Sequence, residues 1–553
     1  MGFLDSIKRW QLAKKGYSHG KKRRVQSDNP AIQALEHSFL IKLSLYLSFA
    51  VGTAVLVLKA SDGAVFSAVP FKGMIYGFVL ALTALAMFDV NHPKVCLRNS
   101  RIILVLGGLM GHLVIVRLVM TLADAGTIRE VYRFLFIPFA LAPMLHGILL
   151  GRTVGAFSAV YVSLIGSLLV PQADLMNYLI VSLVAGMTAV LCTAKVRKRI
   201  QLLRAGIYVG AVMVVLALIL GELEFMSVFG PESIGRLQVL GAGSAIAFAT
   251  ALATAMIISG FLPMFEGSFC LTTDISWLEL SDLNHRLLKQ MQLEAPGTFH
   301  HSLVVAALSE AAAEKIGANA PMCRVCAYFH DVGKLKKPSY FIENQHDEAE
   351  NPHDHLTPTM SALIITAHVK DGIDLAVKHK LNPRIVEVIQ EHHGDSLVYF
   401  FYRKAQEQKK EEMEKVDRRL ENPEDLPKVE EKNFRYPGPR PSSRESGIIC
   451  LADTIESASR TLRKPTPAKI RALVEELVRA KINDGQLDEC QLTLGELAAV
   501  KDSFSKTLRS MLHNRIDYQK PKDERNGASK RPSSLKNGDG SGKRLTRVTE
   551  RSN

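Results

Sequence analysis

Five groups of side chains in the second half of the chain carry chemistry if they meet: His300-His301, His330-Asp331, His368, His392-His393 and Asp453. Imidazole and carboxylate ligands suit Fe, Mn or Zn, and a bridging aspartate can hold two such ions a few ångströms apart. A single histidine on a helix is usually a satisfied core or surface residue. The adjacent pairs differ, because each wedges two polar groups into an apolar run. Ala327, Tyr328 and Phe329 precede His330, and Ile385, Val388 and Ile389 precede His392. Such neighbours imply burial, where an unpaired polar group costs free energy and a coordinated ion removes that cost. Cys323 and Cys326 form a lone CxxC with no second ligand pair and no thioredoxin-like context. They read as two small buried residues on a helix.

The elements that must position these groups read as helices. Periodicity predicts a helix over 299–316 and another over 319–331, the latter running into "YFHDVGKLKKP" with Gly333 as its stop and Pro338 beyond. Further helices are expected at 358–370, 382–394, 445–461, 466–482 and 494–514. Upstream, 274–293 has the pattern of one connecting helix, with Pro296 and Gly297 as a breaker and Thr298 as N-cap. Period-two alternation is almost absent, so this half is expected to be all-α.

The first half is of another kind. Apolar runs of bilayer-spanning length occur near 39–59, 68–89, 102–122, 131–150, 153–171, 176–193, 204–220 and 238–262. The first has a long basic lead and no cleavage site, unlike a signal peptide. Lys94, Arg98 and Arg101 lie between runs two and three, and Lys195, Arg197, Lys198, Arg199 and Arg204 between six and seven. The opposite loops carry Asp124, Glu130, Asp174, Glu222, Glu224 and Glu232, diluted by Arg129 and Arg236. Positive loops stay inside, so both termini are expected in the cytoplasm. Of the net charge of +14, most sits in two tails: residues 1–37 hold eight Lys/Arg against three acids, and 519–553 ten against four. Beside membrane spans such charge marks topology or touches anionic lipid, and no DNA- or RNA-recognition motif accompanies it. Seven scattered cysteines point to a reducing interior. Lys72, His112 and Arg117 fall within the spans and read as snorkelling or bundle-internal groups rather than a ligand site.

From about 265 to 515 the sequence resembles the HD domain of the bacterial seven-transmembrane HD phosphohydrolases. The matching stretches are "APGTFHHSLVV", "YFHDVGKLKKPSYFIENQ", "NPHDHLTPTMSALIITAHVKDG", "EHHGD", "FRYPGPRPSSRESGIICLADTIESASR" and "DGQLDECQLTL". The resemblance implies that His301, His330, Asp331, His368, His392, His393 and Asp453 bind two divalent transition-metal ions, Fe or Mn in preference to Zn. Asp331 would bridge them, and Lys334 would neutralise charge on the phosphate attacked. His301 rather than His300 occupies the ligand place beside Ser302, and His353 and His355 are read as loop residues. Studied members are cyclic di-AMP phosphodiesterases, so the expected activity is hydrolysis of a cyclic dinucleotide, cyclic di-AMP to linear pApA, at a bacterial cytoplasmic membrane. The alternatives are an HD phosphohydrolase of cyclic di-GMP or a guanosine alarmone, or a non-catalytic nucleotide-binding membrane receptor. "GDSLVYF" after His392-His393, in place of a Gly-Tyr-Pro signature, argues against cyclic di-GMP, and a decayed receptor should have lost ligands that are all present. The lipid bilayer is the other expected partner; a homodimer and a ligand of the membrane half are compatible with the sequence.

The expected organisation is a basic cytoplasmic segment (1–37), a transmembrane bundle of about eight helices (38–263) and a juxtamembrane connector helix (264–295). An all-helical HD domain (296–518) follows, with a charged excursion at 404–433, and then a disordered basic tail (519–553). The connection near 60–67 is short where the family usually places a large extracellular domain.

Overall fold

The structure is a computed structural model that describes residues 34–58, 68–194, 196–223, 233–345, 350–417, 429–462 and 465–513. The tail 519–553, most of the segment 1–37, the connection at 60–67 and the middle of the charged excursion lie outside the described residues.

Eight stretches are long and apolar enough to cross a membrane, and they fall on the eight apolar runs. They are built on α1 (Phe39–Val57), α2 (Ala68–Asn91), α3 (Asn99–Asp124), α4 (Leu141–Leu150), α5 (Arg152–Gly166), α6 (Leu175–Cys192), α7 (Arg199–Ile219) and α8 (Ser233–Phe269). Their outward faces stay apolar. On α1, Leu40, Leu43, Leu47, Val51 and Val55 are exposed while Phe49, Ala50, Ala54 and Val57 are buried. A helix apolar all round at the surface of a bundle needs hydrocarbon outside it. The fourth span is not one helix: Glu130–Phe136 is a 3-10 turn, and α4 begins only beyond Pro138, whose missing N–H interrupts the ladder. Within the spans, His112 is buried against the start of α4, Lys72 is exposed and Arg117 is half-buried.

The second half is a separate helical body. Its helices are α9 (Asp274–Leu280), α10 (Arg286–Glu294), α11 (Pro296–Ile316), α12 (Ala320–Phe329), α13 (Pro358–Lys378), α14 (Pro383–Glu391), α15 (Tyr399–Asp417), α16 (Arg444–Ser459), α17 (Pro467–Asn483) and α18 (Leu494–His513). No strand occurs among the described residues, only an isolated bridge between Leu397 and Arg435. Helix starts are written locally. Asn319, Thr357, Asn382 and Thr466 each cap a helix through the side chain, and each of those helices has proline in its first turn, where a missing N–H costs nothing. α11 is central, packed against α12, α16 and α18, and Cys323 and Cys326 are fully buried on α12.

The connector departs from the single helix expected over 274–293. Asp282 Oδ1 accepts the Asn284 N–H at 2.9 Å and the His285 side chain caps a new helix, so "SDLNH" is a turn between α9 and α10. Nor is it a free rod: Trp277, Leu287, Leu288 and Met291 belong to the core of the helical body. Thr298 likewise is not an N-cap. Pro296 opens α11, Thr298 lies inside it, and its N–H and hydroxyl bond to Asn344 and Glu343. At the junction the buried Glu266 of α8 accepts the Thr273 N–H and the Ser276 hydroxyl, both at 2.6 Å. Arg199 of α7 grips Glu279 of α9 with two bonds of 2.7 and 3.1 Å.

Candidate metal centre

Five elements deliver the side chains. His301 projects from α11, His368 from α13 and Asp453 from α16, all buried. His330 is the C-cap of α12 and Asp331 follows it, heading the 3-10 turn Val332–Lys336. His392 is the C-cap of α14 and His393 follows. Adjacent ligands are therefore placed where a helix ends, and the chain turns so that both side chains face one centre. Gly333 permits this closeness: a Cβ there would sit 1.9 Å from the His368 carbonyl oxygen and 2.5 Å from the Gly372 nitrogen. Gly394, at φ +56°, makes the turn after His393.

The side chains converge in two groups that share Asp331: His301, His330, Asp331 and Asp453 in one, and Asp331, His368, His392 and His393 in the other. Asp331 Oδ1 lies 3.3 Å from His368 Nε2 and 3.6 Å from His392 Nε2. Its Oδ2 lies 3.3 Å from His330 Nε2 and 3.5 Å from His301 Nε2. Asp453 reaches both groups, with Oδ1 3.0 Å from His301 Nε2 and Oδ2 3.5 Å from His393 Nδ1. The outer nitrogens of His330, His368 and His392 face the carbonyls of Ala327, Ile365 and Ile389 at 2.7, 2.6 and 2.8 Å. This turns Nε2 of each ring inward.

The donor set fits a divalent cation. Asp331 Oδ1 and His330 Nε2 are buried without a well-formed hydrogen bond, although such atoms are costly to leave unsatisfied, while Oδ2 has the Lys334 ammonium beside it. Electrostatics agree. Burial opposes ionisation of Asp331, but Lys334 and His330 outweigh it and hold the carboxyl well below its usual range. Asp453 is held low in the same way by His301 and His330. Burial works against a charged His330, yet Asp331 and Asp453 push its pKa up to about 10. Burial and the neighbouring imidazoles leave His393 well below its usual value. The first group therefore holds excess negative charge that protons balance when no cation does.

Lys334 reaches the centre from the 3-10 turn, with Nζ 2.8 Å from Asp331 Oδ2 and 2.7 Å from Glu343 Oε1. Burial opposes its charge, but these two carboxylates hold it protonated. The other histidines stay outside. His300 is exposed. His353 is buried, its Nε2 2.9 Å from the Tyr340 carbonyl and its ring against Phe401. His355 is exposed beside Glu350.

Three participants escaped the sequence reading. Glu343 pairs with Lys334 from a loop with no periodic signal. Tyr436 stacks on His393, ring centroids 4.2 Å apart at 28°. Glu456 meets His301 Nδ1, and its place one helical turn beyond Asp453 was a signal available in "ADTIES".

Two families match the chain. The one described as a 7TM receptor with intracellular HD hydrolase matches residues 68–273, which hold α2 to α8, so α1 precedes its seven spans. The HD domain matches residues 298–458, which hold all the clustered side chains. HD domains bind divalent metals, and the cluster can hold one. The chain is 37% identical over 386 residues to the Bacillus subtilis cyclic-di-AMP phosphodiesterase PgpH, covering 69% of this chain and 51% of that protein. It is 35% identical over 391 residues to the Listeria monocytogenes protein of the same name, covering 70% and 51%. A crystal structure of the L. monocytogenes PgpH HD domain in complex with cyclic-di-AMP is 39% identical and matches with a TM-score of 0.37, over 41% of this chain and 98% of that one. The chain spans about half the length of the curated relatives it matches. Membrane half and helical body thus match, in that order, the two parts that the description of a 7TM receptor with intracellular HD hydrolase names.

Proposed function

We propose that the protein is a membrane-anchored, metal-dependent phosphodiesterase that hydrolyses a cyclic dinucleotide, converting cyclic di-AMP to linear pApA. The observation that carries this reading is Asp331, a buried carboxylate whose two oxygens face different sets of imidazoles. A carboxylate so placed is suited to joining two cations. His301, His330, Asp331 and Asp453 would hold one, and Asp331, His368, His392 and His393 the other. Imidazole and carboxylate donors suit Fe, Mn or Zn, and the family resemblance puts Fe or Mn ahead of Zn.

Divalent ions held there would neutralise phosphodiester charge and acidify water to near neutrality. The chain's own residues do the rest. His301, His330, His368 and His392 present Nε2 inward because their other nitrogens are tied back, while His393 turns Nδ1 toward Asp453. Lys334, kept charged by Asp331 and Glu343, offers an ammonium where negative charge accumulates on the phosphate during in-line attack. No nucleophilic side chain is required. Cyclic di-AMP as substrate draws on the names of the two PgpH relatives.

The test is incubation of the purified full-length protein with Mn2+ and cyclic di-AMP, separating products by chromatography. Appearance of pApA is expected. Turnover of only cyclic di-GMP or an alarmone would reassign the substrate, and binding without turnover would make the protein a receptor.

A further inference from the structure

The clustered histidines are not oriented alike. His330, His368 and His392 each tie Nδ1 to a carbonyl three residues earlier in the chain, a contact no side-chain substitution removes. His301 instead places Nδ1 against the carboxylate of Glu456, 155 residues away. Glu456 is only 4% exposed. Its Oε2 meets His301, while its Oε1 is held by Arg460 Nε at 2.8 Å and Nη2 at 2.7 Å. Asp453 and Glu456 on α16 and Arg460 at its C-cap follow at one-turn intervals, so one helix face presents a ligand, an orienting carboxylate and its anchor.

We propose that Glu456, anchored by Arg460, is a positioning residue of the metal centre. It accepts the Nδ1 proton of His301 and so fixes the tautomer whose Nε2 faces Asp331 and Asp453. A neutral imidazole has one donor and one acceptor nitrogen, and only the acceptor can bind a cation. A carboxylate on the far nitrogen decides which is which and raises the basicity of the other. The effect is confined to the His301 group, because Glu456 touches no histidine of the second group, where His368 and His392 take their orientation from backbone carbonyls. The proposal rests on the reading of the cluster as a two-cation centre.

The test uses full-length protein in detergent, stripped of metal and titrated with Mn2+, with bound ions and their pairing read by electron paramagnetic resonance. Wild type is expected to take up two ions that give a spin-coupled signal. Glu456→Ala should retain the ion of the His368 group and weaken the other by roughly 10–100-fold, replacing the coupled signal by a mononuclear one. Glu456→Gln, which keeps an acceptor oxygen, should restore the pair. Wild-type affinity for both ions in Glu456→Ala overturns the proposal, as does a Glu456→Gln protein no better than Glu456→Ala. If Glu456→Ala binds neither ion, Arg460→Ala decides: selective loss of one ion supports the proposal, and undiminished binding of both overturns it. A wild-type protein that binds no ion overturns the two-cation reading instead.

Discussion

Asp331 and Lys334 touch, yet removing them should have different consequences. Asp331 belongs to both ligand groups, so Asp331→Ala is expected to abolish paired metal binding and, with it, turnover. Elemental analysis beside a cyclic di-AMP assay checks this, and an Asp331→Ala protein with undiminished metal and rate would refute the shared-ligand reading. Lys334 supplies charge without being a ligand. Lys334→Ala should lower turnover by about 10²-fold while leaving two ions bound. The protonation of the centre gives a third expectation. His330, pushed up to about 10 by Asp331 and Asp453 despite burial, carries a proton at neutral pH when the centre is metal-free, and Asp453 and Glu456 raise His301 in the same direction against its burial. A cation must displace those protons, so affinity should rise with pH below that value, and binding should release protons. Calorimetric Mn2+ titrations in buffers of different ionisation enthalpy measure the release; an affinity flat between about pH 6 and 8 would contradict it.

At the scale of elements, helix existence was legible and helix interruption was not. The caps and prolines that start α12, α13, α14 and α17 are local signals, as is the burial implied by the apolar residues around His330 and His392. The break between α9 and α10 was missed because "SDLNH" contains no glycine or proline, and its turn depends on the Asp282 and His285 side chains. Thr298 was misassigned because its partners, Glu343 and Asn344, lie more than forty residues away. Glu343 as the partner of Lys334 was illegible for another reason: it lies only nine residues on, but in a segment with no periodic signal. Gly333 shows the reverse case. Read along the chain, it is a helix stop; in three dimensions it is the place where the Asp331 turn touches the backbone of α13. Gly333→Ala would drive a methyl into the His368 carbonyl, and neither backbone can yield without moving a ligand. Destabilisation of about 3 kcal/mol is expected, together with loss of metal. Thermal melts with and without Mn2+ check both, and unchanged melting and metal content would show that α13 moves freely.

For the whole molecule, the substrate within reach of the centre depends on which side of the membrane the helical body occupies. The basic loops and that body lie together. Arg199 pairs with Glu279, and Arg197 lies 3.8 Å from Glu314. The opposite ends of the spans are tied by acidic pairings instead, with Arg133 bonded to Glu130 and to Asp174. The positive-inside rule depends on loops counted one by one along the sequence, whereas the junction contacts depend on tertiary packing. The contacts put the helical body on the side of the basic loops, and with the positive-inside rule we propose that this side is the cytoplasm, where a nucleotide second messenger is found. In a cysteine-free protein, Thr127→Cys, on an exposed turn after α3, should react with a membrane-impermeant maleimide in intact cells. Lys94→Cys, exposed on the helical body's side of the bundle, should react only after permeabilisation. The reverse pattern would put the centre outside the cell and remove its proposed substrate. Exposed ion pairs such as Arg199–Glu279 contribute only about 0.2–1 kcal/mol, so Arg199→Ala should leave this labelling pattern unchanged: orientation is set by the summed charge of the loops, not by any single contact with the helical body.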